Sequence, residues 1–164
     1  MPTVALGSDH AGFQLKEVIK EHLSDLGVKI IDFGTHDSET SVDYPRYCAP
    51  AARAVVAKRA DFAIVFGGSG QGEQLAANKV KGVRAALCYN ELSARLARQH
   101  NDANVLSLGA RLLGTELAIA IVDSFLGSTF DGGRHLRRVE MLSKLELETG
   151  MIGSECNGWH GTYR

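Results

Sequence analysis

The stretch FAIVFGGSGQGEQLAAN, residues 62–78, joins three kinds of sequence that occur together in α/β proteins. An apolar, β-branched run ends at Phe66, and four of the next six residues are glycine. Glu73 then opens a segment of helix-forming residues. The pattern predicts a strand, a glycine-rich loop and a helix, in that order.

The glycine-rich loop is suited to bind an oxygen-rich or anionic group. Glycine tolerates positive φ and has no Cβ, so the loop N–H groups can approach a ligand closely. The first N–H groups of the following helix, and its dipole, also favour negative charge. A carboxylate beside such amides can remove a proton and leave the resulting charge to them. We therefore interpret Glu73 as a general base, although an acidic residue in a helix's first turn is common without any such role.

Two other uses of the loop fit the sequence less well. No Lys-Ser or Lys-Thr pair follows the glycines, which argues against a P-loop for nucleoside triphosphates. The spacing is Gly-x-Gly-x-Gly followed by Glu, and this departs from the Gly-x-Gly-x-x-Gly of dinucleotide-binding proteins.

Length and charge restrict the class of protein. The 164 residues suffice for one domain with a full core. A formal net charge of −1 and a pI near 6.6 give no general attraction to nucleic acid or to an anionic membrane surface. The sequence has neither a signal-peptide pattern nor an apolar run of membrane-spanning length, so we expect a cytoplasmic protein.

The three cysteines, Cys48, Cys88 and Cys156, are widely spaced in the sequence. They form no CxxC pair and have no His at ligand spacing, which predicts reduced thiols and neither a disulfide framework nor a metal site. None of them lies near the glycine loop in the sequence.

Apolar runs alternate with helical patterns along the chain. The runs predict strands at residues 3–7, 28–33, 62–66, 83–87 and 105–108. Helices are predicted at residues 13–26, 45–58, 90–100, 114–126 and 134–147, with one more starting near residue 72. This order predicts a single-domain, doubly wound (Rossmann-like) α/β fold over residues 1–150, with about five parallel strands and helices on both faces. The tail, residues 151–164, carries Trp159 and Tyr163, which suggests packing against another surface or else a frayed end.

Ligands of doubly wound sheets bind beyond the carboxyl ends of the strands, so the loops after the strands are the candidate binding segments. Asp9 and His10 follow the first predicted strand; Asp9 could cap the first helix, and His10 could protonate an oxygen near neutral pH. We expect His100 and Asn101, at the end of a helix before the fifth strand, to lie on the same edge. A His at a helix C-terminus can also serve only to meet the dipole.

Arginines near the C-terminus predict a phosphate site. Arg134 and Arg138 stand four residues apart and share a helix face, where two guanidinium groups repel each other unless an anion lies between them. Arg111 follows the fifth strand. A solvated basic face is the alternative. The combination suits proton transfer next to a carbonyl in a small phosphorylated substrate: it comprises a carboxylate base, amide donors, His acids and a phosphate site.

Five motifs resemble those of the ribose-5-phosphate isomerase B family. They are SDHAGF near the start, DYP at 43–45, GGSGQGEQLAANK at 67–79, RQHNDANVLSLGAR at 98–111 and GGRHLRRVE at 132–140. The motifs occur in the family's order, and the resemblance extends to about residue 147. It implies interconversion of ribose 5-phosphate and ribulose 5-phosphate in the pentose phosphate pathway, through an enediol, without metal or cofactor, in a homodimer or tetramer.

The resemblance also implies a role for each candidate residue. Glu73 would move the proton between C1 and C2, and His100 would act as the acid that helps open the sugar ring. Substrate contacts, some of them made across the dimer, would come from Asp9, His10, Gly68, Ser69, Gly70, Gln71, Gly72, Asn101, Arg111, Arg134 and Arg138. A large branch of the family has a Cys base at the position of Gly67, and this chain resembles the other branch, which uses Glu.

Two other functions remain open at the level of the sequence. One is isomerisation of a hexose 6-phosphate of the allose or galactose type. The other is a non-catalytic phosphosugar-binding module, which would have no need of Glu73 and His100.

Overall fold

The computed structural model describes residues 1–149, which form a five-stranded parallel sheet with six helices. In chain order the elements are β1 (Thr3–Ser8), α1 (Phe13–Asp25), β2 (Lys29–Asp32), α2 (Pro45–Val56), β3 (Phe62–Gly67), α3 (Gln71–Asn78), β4 (Ala85–Leu87), α4 (Glu91–Asn101), β5 (Val105–Gly109), α5 (Thr115–Leu126) and α6 (Arg134–Thr149). The doubly wound α/β prediction is confirmed. The tail with Trp159 and Tyr163 lies outside the described residues.

The three central strands, β1, β3 and β5, are buried on both faces, and the two faces of the sheet differ in residue size. Large side chains such as Leu6, Ile64 and Phe66 pack against α1, α4 and α5. Alternate residues, such as Ala5 and Ala63, pack against α2 and α3 in a second cluster rich in alanine. Successive strand residues point to opposite faces, so the two clusters follow from the period of two along each strand.

The strand order β2-β1-β3-β5-β4 places the reversal of winding between β1 and β3. Ser8 pairs with Phe66 at the ends of these strands, and Gly67 pairs with Gly109 at the end of β5. The loops that follow β1, β3 and β5 therefore meet at the carboxyl edge of the sheet, where doubly wound folds bind their ligands.

Strand β4 is shorter than the sequence pattern predicts. Side chains replace part of its backbone pairing: the Asn104 Oδ1 atom accepts from Arg84 N at 2.8 Å, and the Asn78 Oδ1 atom accepts from Ala85 N at 2.8 Å. The strand also lies at the sheet edge, outside β5, although β5 follows it in the chain.

Helix α6 carries several large apolar side chains that are about half exposed: Leu136, Met141, Leu142, Leu145 and Leu147. It packs against α4 and leaves these side chains on the surface. None of the helices in residues 1–149 has the length and apolarity needed to cross a membrane.

Candidate active site

A cleft of about 310 Å³ opens at the carboxyl edge of the sheet, above the ends of β1 and β3. The glycine loop forms its floor and the segment after β1 forms one wall. Its lining residues are Asp9, His10, Ala11, Tyr44, Gly68, Ser69, Gly72, Glu73, Arg111 and Leu112.

Glu73 lies in the first turn of α3, and its side chain is buried, with only 3 % exposed. Burial raises the pKa of this carboxyl above its ordinary value, and the charge of Asp9 raises it further. The amides of Glu73 itself and of Gly70 work in the opposite direction. A carboxylate with a raised pKa is a stronger base, so the geometry fits the predicted proton acceptor.

The Glu73 carboxylate lies directly against the backbone of Gly67. A Cβ atom added at Gly67 would overlap the Glu73 carboxylate. The carboxylate therefore occupies the space that a side chain at position 67 would take, and only glycine at that position is compatible with the observed Glu73 conformation.

Backbone hydrogen bonds to β5 and the loop after it hold the glycine loop in place. Ala110 N donates to Gly67 O at 2.8 Å, and Arg111 N donates to Gly68 O at 3.0 Å. Gly70 has a φ of +78°, which favours glycine, and its carbonyl accepts from Ser107 Oγ at 2.6 Å. The loop that would receive the oxyanion is thus fixed before any ligand arrives.

The predicted loop contacts divide into two groups. Gly68, Ser69 and Gly72 line the cleft. Gly70 instead faces β4 and β5, where Leu87 Cδ1 lies 2.6 Å from the position of an added Cβ. The Gln71 side chain turns away to donate to Tyr89 Oη at 3.2 Å. Within one chain, the Gln71 side chain therefore does not point into the cleft.

Asp9 and His10 form the wall beside Glu73. Asp9 Oδ1 accepts from Gly12 N at 2.9 Å, so Asp9 fixes the turn before α1 as well as lining the cleft. His10 Nδ1 accepts from Val42 N at 3.2 Å, which leaves Nε2 as the protonated nitrogen of the neutral ring. Both predicted uses of Asp9 are thus compatible with its position.

Arg111 and Tyr44 complete the cleft. The guanidinium of Arg111 packs over the loop, with Cζ 3.2 Å from the position of a Cβ at Gly68. The Tyr44 ring lies over Gly72, with Cζ 2.6 Å from the position of a Cβ there. In the sequence, Tyr44 is marked only by the DYP motif, and no role is predicted for its side chain.

His100 and Asn101 do not lie at this edge, and the expectation that they share it with the glycine loop is wrong for a single chain. Helix α4 runs back across the sheet and ends beside the start of β4, where Arg84 Nε donates to Asn101 O at 3.0 Å. The five residues of β5, at about 3.3 Å each, separate the two edges by roughly 15 Å.

Arg134 and Arg138 lie at the start of helix α6, close to His100 and Asn101. His135, between them, stacks on His100 with ring centroids 4.2 Å apart and planes 6° from parallel. Burial lowers the pKa of His135, and its electrostatic interactions with His100, Arg134 and Arg138 lower it further. We call His100, Asn101, Arg134 and Arg138 the amino-edge group. It combines a histidine, the residue type suited to acid catalysis, with arginines, the residue type suited to binding an anion.

Cys48 lies closer to Glu73 in space than its place in the sequence indicates. It is buried in α2, where burial raises the pKa of its thiol, and the charges of Glu73 and Asp9 raise it further. The thiol therefore stays protonated and does not compete as a base. Within residues 1–149, no three His, Cys, Asp or Glu side chains are grouped so that they could hold a metal ion.

The chain is similar in sequence to known proteins. Residues 4–142 match the family model described as Ribose/Galactose Isomerase. Ribose-5-phosphate isomerase B of Escherichia coli K12 is 48 % identical over 146 residues, which is 89 % of this chain and 97 % of that protein.

Solved structures share both the fold and the sequence. Ribose-5-phosphate isomerase B of Clostridium thermocellum superposes with a TM-score of 0.88 at 47 % identity, over 90 % of this chain and 99 % of that one. The Mycoplasma genitalium enzyme with bound ribulose-5-phosphate gives a TM-score of 0.85 at 41 % identity, over 89 % and 97 %. The chain belongs to the ribose/galactose isomerase family.

Proposed function

We propose that this protein interconverts ribose 5-phosphate and ribulose 5-phosphate. The observation that carries the proposal is the buried Glu73, which lines the same cleft as Gly68, Ser69 and Gly72 of the glycine loop. Relatives named ribose-5-phosphate isomerase B, one of them with ribulose-5-phosphate bound, support the choice of substrate. The reaction belongs to sugar-phosphate metabolism, and we place the enzyme in the cytoplasm with its substrates.

The chemistry follows from the proposed base and its neighbours. Glu73 removes the proton from C2 of the open-chain aldose, and the electron pair moves through the C1–C2 bond onto O1. The resulting enediolate charge is met by amides of the glycine loop, a role that typically contributes about 10²- to 10³-fold in rate per donor. The proton of the C2 hydroxyl then passes to O1, and Glu73 returns the first proton to C1, which gives the ketose with its carbonyl at C2.

The site we propose is completed by a second copy of the chain. The cleft holds the base, the oxyanion donors and Arg111, while the amino-edge group lies roughly 15 Å away at the other edge. In a homodimer, with further pairing to a tetramer open, the second copy's His100 would protonate the ring oxygen and its arginines would bind the phosphate. The exposed apolar side chains of α6 support such an interface.

A six-carbon substrate is the second candidate, because the family description also names galactose. Turnover of ribose 5-phosphate compared with allose 6-phosphate and galactose 6-phosphate separates the two. A preference for a hexose phosphate would leave the proposed mechanism unchanged and replace the substrate.

Glu73→Gln is the direct test of the proposed function. We expect the variant to bind ribose 5-phosphate with similar affinity and to lose turnover, because the amide is nearly isosteric but cannot accept the proton. Exchange of the substrate C2 proton with deuterated solvent, followed by NMR, measures the step itself. Exchange by the wild type and none by the variant is expected; no exchange by the wild type would indicate a binding module.

A further inference from the structure

Lys16 is a fully buried lysine outside the cleft. It lies in α1, and its ammonium group has an acceptor for each of its three N–H donors. Nζ lies 2.9 Å from both oxygens of Asp32, 2.8 Å from Thr35 O and 3.1 Å from Glu17 Oε1. The lysine therefore joins helix α1 to the end of β2 and to the first residues of the following loop.

The loop from Gly34 to Tyr44, here called the β2–α2 loop, starts at this network. Asp32 Oδ1 also accepts from Gly34 N at 2.9 Å. Ser8 N donates to Gly34 O at 2.6 Å, and Thr35 N donates to Ser8 O at 2.8 Å. The start of the loop is thus tied both to Lys16 and to the last residue before Asp9.

The far end of the same loop forms part of the cleft. Val42 N donates to His10 Nδ1 at 3.2 Å and so sets the orientation of the ring. Tyr44 lines the cleft and lies over Gly72. Any shift of the β2–α2 loop would therefore move two groups that line the cleft, while Glu73 is held by α3.

Stability alone does not account for this buried charge. A buried ion pair often contributes no more than apolar side chains of similar volume would, because desolvation offsets the attraction. Burial works to raise the pKa of Asp32, yet hydrogen bonds from Lys20 and Lys16 outweigh it and lower that pKa, so Asp32 is ionised at neutral pH. Both members of the pair also contact the start of the loop, Lys16 at Thr35 O and Asp32 at Gly34 N.

We propose that Lys16 is a positioning residue for the sugar-binding wall of the cleft: it fixes the β2–α2 loop and, through Val42, the His10 ring. This inference rests on the proposed isomerase function. A displacement of about 1 Å in a substrate-positioning group can cost roughly 10²-fold in rate. Because Glu73 is held separately, the loss should appear mainly as a higher KM.

Lys16→Met, with Lys20→Met as its matched control, tests the proposal. Lys20 also binds Asp32, at 2.7 Å, but it is partly exposed, and its hydrogen bonds go to Asp32 and Glu17, whereas Lys16 bonds to Thr35 O in the loop. For Lys16→Met we expect kcat/KM for ribose 5-phosphate to fall about 10- to 100-fold, mainly through KM. Amide hydrogen exchange at Val42 and across the loop should accelerate while the strands stay protected. Lys20→Met should change neither.

A double variant, Lys16→Met with Asp32→Leu, decides the outcome if the single variant unfolds. Replacing the ion pair by apolar side chains should keep the fold while still releasing the loop. The proposal is overturned if a folded variant keeps the wild-type KM and the wild-type exchange rate at Val42. A fall in apparent kcat with unchanged KM, from a smaller folded fraction, would also overturn it. Absence of isomerase activity in the wild type would instead reject the proposed function, and the exchange data would still report on the loop.

Discussion

At the scale of single residues, the absence of a side chain at position 67 is as important to the site as the carboxylate at 73. Gly67→Ala places a Cβ where the Glu73 carboxylate lies. We expect kcat to fall by about 10²-fold or more, because the base must move out of its productive position. Steady-state kinetics with ribose 5-phosphate measures the loss.

Gly114→Ala is the matched control for that substitution. Gly114 has a φ of −72° and nothing within 4 Å of an added Cβ. Alanine should therefore be accommodated there without displacing any neighbour, and kcat should stay at the wild-type value. Wild-type kcat in Gly67→Ala would contradict the assignment of Glu73 as the base.

The raised pKa of Glu73 also makes a prediction about stability. A carboxyl whose pKa is higher in the folded state binds its proton more tightly there, so ionising it costs folding free energy. That cost is absent below its ordinary pKa of 4.5 and grows as pH rises through the folded pKa. Glu73→Gln should therefore raise Tm at neutral pH and leave it near the wild-type value well below pH 4.5.

Thermal unfolding followed by circular dichroism across this pH range checks the sign. Glu21→Gln, at an exposed position of α1, is the control and should leave Tm close to the wild-type value throughout. A variant less stable than the wild type at neutral pH would mean that the buried carboxylate stabilises the fold.

At the scale of the element, helix α4 begins with a complete capping box. Asn90 Oδ1 accepts from Ser93 N at 2.8 Å, and Ser93 Oγ accepts from Asn90 N at 3.3 Å. Asn90→Ala should lower the free energy of unfolding by about 1 kcal/mol. For a chain of this length that corresponds to a fall in Tm of roughly 2–4 °C.

Asn90→Asp is the matched variant, because aspartate keeps the acceptor and caps helices equally well. It should unfold close to the wild-type temperature. Equal losses of Tm in both variants would show that the amide group of Asn90, and not the cap, stabilises this end of α4.

The elements themselves were largely predictable, because apolar strands and amphipathic helices differ in period. The prediction was weakest at β4, where the side chains of Asn78 and Asn104 replace backbone partners and shorten the strand. The position of β5 between β3 and β4 was not predictable either, since it depends on packing between elements distant in sequence.

The candidate site was predictable in one half and not in the other. Glu73 and the glycine loop are contiguous in sequence, so their meeting follows from local structure. The expectation for His100 is wrong because its place just before β5 in the sequence does not show the direction in which α4 runs. A helix that connects parallel strands returns to the amino edge, and its last residues lie there. The position of Tyr44 in the cleft depends on the path of the whole β2–α2 loop, which the sequence pattern does not predict.

At the scale of the whole molecule, the separation of the cleft from the amino-edge group has a testable consequence. We mix chains carrying Glu73→Gln with chains carrying Arg134→Ala and Arg138→Ala, and refold them together. If each site joins the cleft of one copy to the arginines of another, random dimers restore about a quarter of the wild-type sites. Activity at subsaturating ribose 5-phosphate measures the recovery.

Mixing Glu73→Gln with Gly67→Ala, both in the same half-site, should restore none. Mixtures no more active than their parents would place the complete site within one chain.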